Sequence, residues 1–281
     1  MGLRLAAEPG EGLSALLRGY STEVIPRDRK ALETAADLLP RGAEVFIPAV
    51  RGESPERLIA AAARLRASGL TPVPHVVARS FAGLDDADRF LARLRDEAGV
   101  DRVLALGGDR DAPAGVLRSS QQLIESGLFP KRGILGLFIA CYPERHPRIA
   151  DDVLERARVA KLRLAADQGL EVELVSQFCF DAAPIIALAR RMGAPYRVGV
   201  AGPAERATLV RYGLMCGIGR SLRALTQRRS RSLLTAETPN AVLAEVAAAR
   251  RLDPALNITG VHLFTFGGLA RSVEWAAGLR R

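Results

Sequence analysis

The feature that most constrains this chain is an alternation that runs through it. Short runs rich in apolar and β-branched residues recur at Thr22–Ile25, Glu44–Val50, Thr71–Ala78, Arg102–Leu106, Gly133–Tyr142, Glu171–Phe180, Tyr196–Ala201 and Ile258–Phe266. Most are nearly continuous in apolar character, the pattern of strands buried on both faces. Between them lie segments of helical period: Arg29–Leu39, Ser54–Gly69, Asp85–Glu97, Asp151–Gln168, Pro184–Met192, Pro203–Tyr212, Pro239–Leu252 and Arg271–Leu279. The Ser54 segment is the clearest. It carries an N-cap serine, Pro55 and Glu56 in the first turn, Leu58, Ile59, Ala62 and Leu65 on one face, and Gly69 as a stop.

Eight such runs alternating with eight helices over 281 residues predict a (β/α)8 TIM barrel of class α/β. A doubly wound open sheet is the rival, because local pattern does not distinguish closure from an open edge. No Pro/Ser/Gly-rich linker divides the alternation, so residues 1–281 read as one domain, with residues 1–20 as an N-terminal extension.

Composition removes several classes. At 48% hydrophobic and 25% charged residues, disorder, collagen-like repeats and coiled coil are excluded. Apolar stretches break well before the roughly 18 residues of a membrane span. The start, Met1-Gly-Leu-Arg-Leu-Ala-Ala-Glu-Pro, carries no secretory signal pattern. Cys141, Cys179 and Cys216 lie far apart without CxxC spacing, so neither a disulfide framework nor a zinc site is expected, and a cytoplasmic setting is. The net charge of +9 is almost wholly arginine, the only lysines being Lys30, Lys131 and Lys161. The arginines are dispersed. The densest run, Arg228-Arg229-Ser230-Arg231, has no interleaved aromatics, which argues against a nucleic-acid partner.

In such a barrel the chemistry belongs at the C-terminal ends of the strands. The polar residues there are few: Glu23 in the first run, His75 in the third, Gly107-Gly108-Asp109 after the fourth, Tyr142 and His146 after the fifth, Gln177 at the sixth and His262 in the eighth. Asp109 also fits a plain turn residue, Gln177 a core amide, and the histidines satisfied core groups. Their spacing matches no metal motif, so no metal is expected. Glu23 is harder to dismiss. A carboxylate inside a barrel strand costs several kcal/mol unless paired, hydrogen-bonded or protonated, and such an environment raises a carboxyl pKa towards that of a general acid.

In this order, the segments Ser21-Thr-Glu-Val-Ile-Pro26, Pro74-His75, Ala105-Leu-Gly-Gly-Asp109, Ala140-Cys-Tyr-Pro-Glu-Arg-His-Pro147, Ser176-Gln-Phe-Cys-Phe-Asp181 and Gly260-Val-His-Leu-Phe-Thr265 resemble the methylenetetrahydrofolate reductase family. The resemblance implies a short bacterial-type catalytic barrel, forming homo-oligomers, that reduces 5,10-methylenetetrahydrofolate to 5-methyltetrahydrofolate with NADH or NADPH through bound FAD. It implies Glu23 as general acid and Asp109 as the group facing the cationic folate. Gln177, with Phe178 and Arg271, would hold the substrate. His75, Gly108, Asp109, Tyr142, His146 and Lys161 would contact the flavin nucleotide. Three positions depart from the family pattern. Gly107 replaces an arginine, Ile47-Pro48-Ala49-Val50 replaces a hydroxyl-bearing segment, and Gly267-Gly268 replaces Asn-Arg. The alternatives are a flavin-independent enzyme, one run in the oxidative direction of one-carbon catabolism, and a non-catalytic barrel acting as a binding subunit.

Overall fold

Proline, glycine and side-chain caps set where the elements stop. In this computed structural model, which describes residues 9–50, 52–216, 218 and 236–279, the strands are β1 (Ser21–Glu23), β2 (Glu44–Ile47), β3 (Thr71–Val77), β4 (Arg102–Leu106), β5 (Gly136–Cys141), β6 (Glu171–Ser176), β7 (Tyr196–Ala201), β8 (Ala204–Glu205), β9 (Ala236–Glu237) and β10 (Ile258–Phe264). The described helices are α1 (Pro9–Leu16), α2 (Arg29–Leu38), α3 (Pro55–Ala67), α4 (Leu84–Ala98), α5 (Ser120–Glu125), α6 (Leu128–Lys131), α7 (Asp151–Asp167), α8 (Ala182–Met192), α9 (Arg206–Met215), α10 (Asn240–Leu252) and α11 (Leu269–Gly278). Pro48, which has no N–H to donate, follows the last residue of β2. Ser54 caps α3 by accepting from the Arg57 N–H, and Gly99, at φ 58°, closes α4 in the left-handed region.

β1 to β7 and β10 form a closed barrel in which β10 pairs with both β7 and β1. All its pairings are parallel. The chain is therefore a (β/α)8 barrel, and the open-sheet rival is set aside. β8 and β9 make a separate two-stranded antiparallel pair. Three local readings shift. The sixth helical segment begins at Arg206 rather than Pro203, because Ala204–Glu205 is taken up by β8. Two short helices, α5 and α6, lie between β4 and β5 where the sequence pattern showed none. Within the N-terminal extension, Leu16, Leu17 and Tyr20 are buried and belong to the main core. The Arg228–Arg231 run lies outside the described residues.

The barrel interior is filled in layers. Phe46, Val73, Leu104, Phe138 and Val175 form a buried cluster, and Phe46 packs on Phe138 at 4.9 Å and on His262 at 4.4 Å between centroids. Below it, at the N-terminal end, lies a floor of ion pairs. Arg197 is held by Glu44 and, at 2.7 Å, by Glu173, while Arg102 bonds the other oxygen of Glu44 at 2.5 Å. The Arg197 guanidinium also lies 5.1 Å from the Phe138 ring centroid, a cation–π contact. Gly199 is required by close approach, since a Cβ there would lie 2.0 Å from the Ser176 carbonyl oxygen.

The Arg197 and Glu44 side chains are only 11% and 12% exposed, so water is a poor replacement for a lost partner. The Glu44→Ala variant is expected to lose about 3 kcal/mol of stability, because it leaves two guanidiniums short of charge. Glu33→Ala, which removes the solvent-exposed pair with Arg64, is expected to change stability by under about 0.5 kcal/mol. Urea denaturation of the two variants checks the contrast, and equal losses would contradict it.

Candidate active site

Side-chain alternation along β1 decides where Glu23 points. Ser21 Oγ lies 2.9 Å from His262 Nδ1, and His262 stacks on interior Phe46, so Ser21 faces inward. Glu23, two residues on, faces inward as well, one layer nearer the C-terminal mouth. It is half-buried. Loss of hydration pushes its carboxyl pKa up to about 7, against a smaller opposite pull from a hydrogen bond with the Thr265 backbone. Thr265, just past β10, is buried and also donates its hydroxyl to the Glu23 carbonyl at 3.1 Å.

The same alternation places Gln177 inward, two residues beyond interior Val175 on β6, where its N–H continues the ladder by donating to the Cys141 carbonyl. Its side-chain amide donates to the Cys216 carbonyl at 3.2 Å. Cys216 lies within electrostatic reach of Glu23, whose charge adds to burial in raising the thiol pKa. The Cys216 N–H in turn donates to the Tyr212 carbonyl one helical turn earlier at 2.9 Å. Tyr212 stacks on Phe266 at 4.4 Å and 29°, and Phe266 directly follows Thr265. Phe178, directly after Gln177, meets Phe266 at 5.1 Å, Phe264 at 5.3 Å and Phe180 at 5.7 Å. A closed ring of contacts thus runs from Glu23 through Thr265, Phe266, Tyr212 and Cys216 to Gln177 and Phe178. Sequence pattern pointed to Glu23, Gln177 and Phe178. It did not point to Tyr212, Cys216 or Phe266, because nothing local says that α9 and the β10 turn meet.

The other side of the mouth is polar. Asp109 sits on the loop after β4 with its side chain exposed, and its carbonyl accepts from Arg148 at 3.2 Å. Arg148 also pairs with Asp111 at 2.9 Å, and Arg79 donates to the Arg118 and Arg110 carbonyls. Two guanidiniums from the β3 and β5 loops thus clamp the β4 loop. Gly108 adopts φ 100°, and a Cβ there would strike Val77 Cγ1 at 2.5 Å. Among the described residues, no hydrogen bond joins the Asp109 carboxylate to Glu23 or Gln177. The three groups occupy three sides of the mouth, on β1, after β4 and after β6.

His75 faces inward on β3, and burial pulls its pKa down to about 4. Desolvation by burial and the nearby Arg197 likewise hold His262 well below its ordinary value. Both are neutral at physiological pH. Tyr142 and His146 meet edge to face at 4.9 Å in the loop after β5. Desolvation raises the Tyr142 pKa to about 12, and His146 Nδ1 accepts from the Arg148 N–H at 3.1 Å. Glu144, buried in the same loop, accepts from Cys179 Sγ at 3.0 Å, tying this loop to the one after β6. Arg271 is exposed on α11. Lys161 is half-buried on α7, its pKa lowered by desolvation, with the Cys141 thiol as its electrostatic neighbour. Cys141 is buried on the outward face of β5, under the helices.

That placement bears on the flavin. The positions matched to a flavin nucleotide do not make a diphosphate cradle here. Lys161 packs beside the barrel's outer wall, Gly107 supplies no charge, and Arg79 and Arg148 are engaged by loop carbonyls and Asp111. Among the described residues no cluster of three or more His, Cys, Asp or Glu is placed to hold a metal ion, and no helix is long and apolar enough to cross a membrane.

Fold and site together define a parallel (β/α)8 barrel with a carboxyl at its C-terminal mouth that has no charged partner among the described residues. No protein-family model matches the chain. Among solved structures it is similar to an uncharacterized protein from Clostridium thermocellum that binds two copies of 5-methyl-5,6,7,8-tetrahydrofolic acid, with a TM-score of 0.60, 13% identity and coverage of 93% of both chains. Dihydropteroate synthase from Thermus thermophilus matches with a TM-score of 0.49 and 17% identity, over 92% of this chain and 91% of that one. At 13% identity the first likeness establishes the fold.

The raised Glu23 pKa has a sign that stability measurements can read. Below about pH 4.5, its ordinary value, folded and unfolded chains both hold the proton. Between there and about 7 only the folded chain holds it, so the group costs the fold progressively more as pH rises, reaching about 3 kcal/mol above 7. Glu23→Gln is expected to raise the melting temperature at about pH 8 and leave it nearly unchanged at about pH 4. An equal shift at both would show that the carboxyl ionises normally.

Proposed function

We propose that this chain binds a reduced folate at the C-terminal mouth of its barrel and reduces 5,10-methylenetetrahydrofolate to 5-methyltetrahydrofolate with NADH or NADPH. The observation that carries the reading is the Glu23 carboxyl: inward, half-buried, with its pKa pushed up to about 7, at a mouth that also carries the Gln177 amide and an aromatic wall. The folate-binding neighbour of the same fold supports it, as does the order of strand-end motifs.

The chemistry needs a proton before a hydride. Opening the five-membered ring breaks a carbon–nitrogen bond, its electron pair stays on the departing nitrogen, and that nitrogen takes the Glu23 proton. The resulting iminium is cationic. The Asp109 carboxylate, on the polar side of the mouth, would stabilise that charge. Gln177 has a second amide hydrogen and a carbonyl with which to hold the pterin edge. Hydride from the reduced nicotinamide then converts the methylene carbon to methyl and leaves oxidised nicotinamide, which balances the reaction. FAD would relay that hydride in the family resembled. The placement of Lys161 and the glycine at position 107 favour direct transfer instead.

Purified protein mixed with NADH or NADPH and 5,10-methylenetetrahydrofolate, without added flavin, is expected to oxidise the nicotinamide. In Glu23→Gln, kcat should fall by roughly 100-fold or more, within the range for loss of a general acid. In the unaltered enzyme kcat should fall as pH rises through about 7, as the acid loses its proton. Turnover only when FAD is supplied would restore the flavin relay. No turnover with either nucleotide, with or without FAD, would leave a folate-binding barrel without reductase activity.

A further inference from the structure

Phe266 stands at φ 47°, in the left-handed region that bulky side chains rarely enter. The next residue, Gly267, is also left-handed at φ 84°, and Gly268 follows. In a turn that already uses two glycines, a third would hold this backbone without strain. The chain keeps a phenylalanine there. Its ring stacks on Tyr212 at 4.4 Å and lies near-parallel to Phe264 at 6.3 Å and 20°. Both Phe266 and Tyr212 remain half-buried, although Phe178 beside them is 1% exposed. Both rings pack against the buried Phe178 cluster yet keep part of their surface accessible. The neighbouring residue, Thr265, donates to the Glu23 carbonyl, so the strained turn links the half-buried ring to the strand that carries the acid. Arg211 lies 5.1 Å from the Tyr212 centroid and adds a cation to the far side of the stack.

We propose that Phe266, braced by Tyr212, is a specificity-determining residue that takes the flat heteroaromatic ring of the ligand by stacking, beside the acid that protonates it. The inference rests on the folate reading and adds the ring-binding surface to it. Stacking on an aromatic face selects flat π systems with little regard to their hydrogen-bonding edges, and Gln177 across the ring reads the edge.

Binding of 5-methyltetrahydrofolate, followed by isothermal calorimetry on the full chain, tests it. Phe266→Leu keeps apolar volume and loses the π face, and its Kd should rise about tenfold. Phe266→Tyr should restore binding to within about threefold of the unaltered protein, a rescue that a merely space-filling role would not require. If Phe266→Leu does not fold, Tyr212→Leu removes the brace and should weaken binding by a similar factor. Unaltered protein that binds while the leucine variants bind equally well overturns the stacking role and leaves the folate reading standing. Unaltered protein that does not bind overturns the folate reading and the stacking role with it.

Discussion

Everything at the mouth depends on the seam that closes the barrel. β1 is three residues long, yet it pairs with β2 on one side and β10 on the other. Two side-chain contacts reinforce those few backbone bonds: Ser21 with His262 inside the barrel, and the Thr265 hydroxyl with the Glu23 carbonyl above it. The partners are more than 240 positions apart in sequence, so the acid acquires its surroundings only when the last strand docks on the first. Long-range closure of this kind is entropically expensive. The raised pKa of Glu23 is therefore a property of the closed barrel and of no smaller piece of it.

The two ends of the barrel use buried carboxylates in opposite ways. At the floor, Glu44 bridges Arg102 and Arg197, and Glu173 grips Arg197 and Thr259, so each charge is met by another charge or a hydroxyl. At the mouth, Glu23 has no guanidinium partner among the described residues, and burial acts on it almost unopposed. The first arrangement matches opposite charges and ties neighbouring strands together. The second keeps a proton available near neutral pH, as a general acid requires. In the sequence both are simply glutamates in apolar runs.

That difference marks how far the sequence could be read. Alternation gave the eight barrel strands because two-sided burial forces continuous apolar runs, and their ends were overestimated for the same reason. Phe178 and Phe266 extend the apolar pattern past β6 and β10, but there they pack across the mouth rather than along the sheet. Residues whose inward placement follows from strand alternation, such as Glu23 and Gln177, were legible. Lys161 was not, because the side of α7 that faces the barrel wall rather than the mouth is fixed by the packing angle of the helix. Tyr212 and Cys216 were invisible to local pattern, since their contacts depend on where α9 settles over β7 and β10.

The mouth is divided chemically, and the division bears on what it can hold. On the β3 to β5 side, Arg79 and Arg148 hold the β4 loop through its carbonyls, fixing a polar rim that carries Asp109. On the β6 to β10 side, Phe178, Phe264, Phe266 and Tyr212 form an apolar wall. Glu23 and Gln177 lie at that wall's two margins. A ligand matched to this arrangement needs one flat face for the wall, a hydrogen-bonding edge for Gln177, a basic atom near Glu23 and positive charge developing towards Asp109. The reduced folate proposed above, whose bridging nitrogen would depart as an iminium forms on the pterin nitrogen, meets all four demands. A symmetric or purely anionic ligand would meet only some of them, and that asymmetry is what the mouth contributes in support of the proposed folate chemistry, since the fold alone carries many reactions.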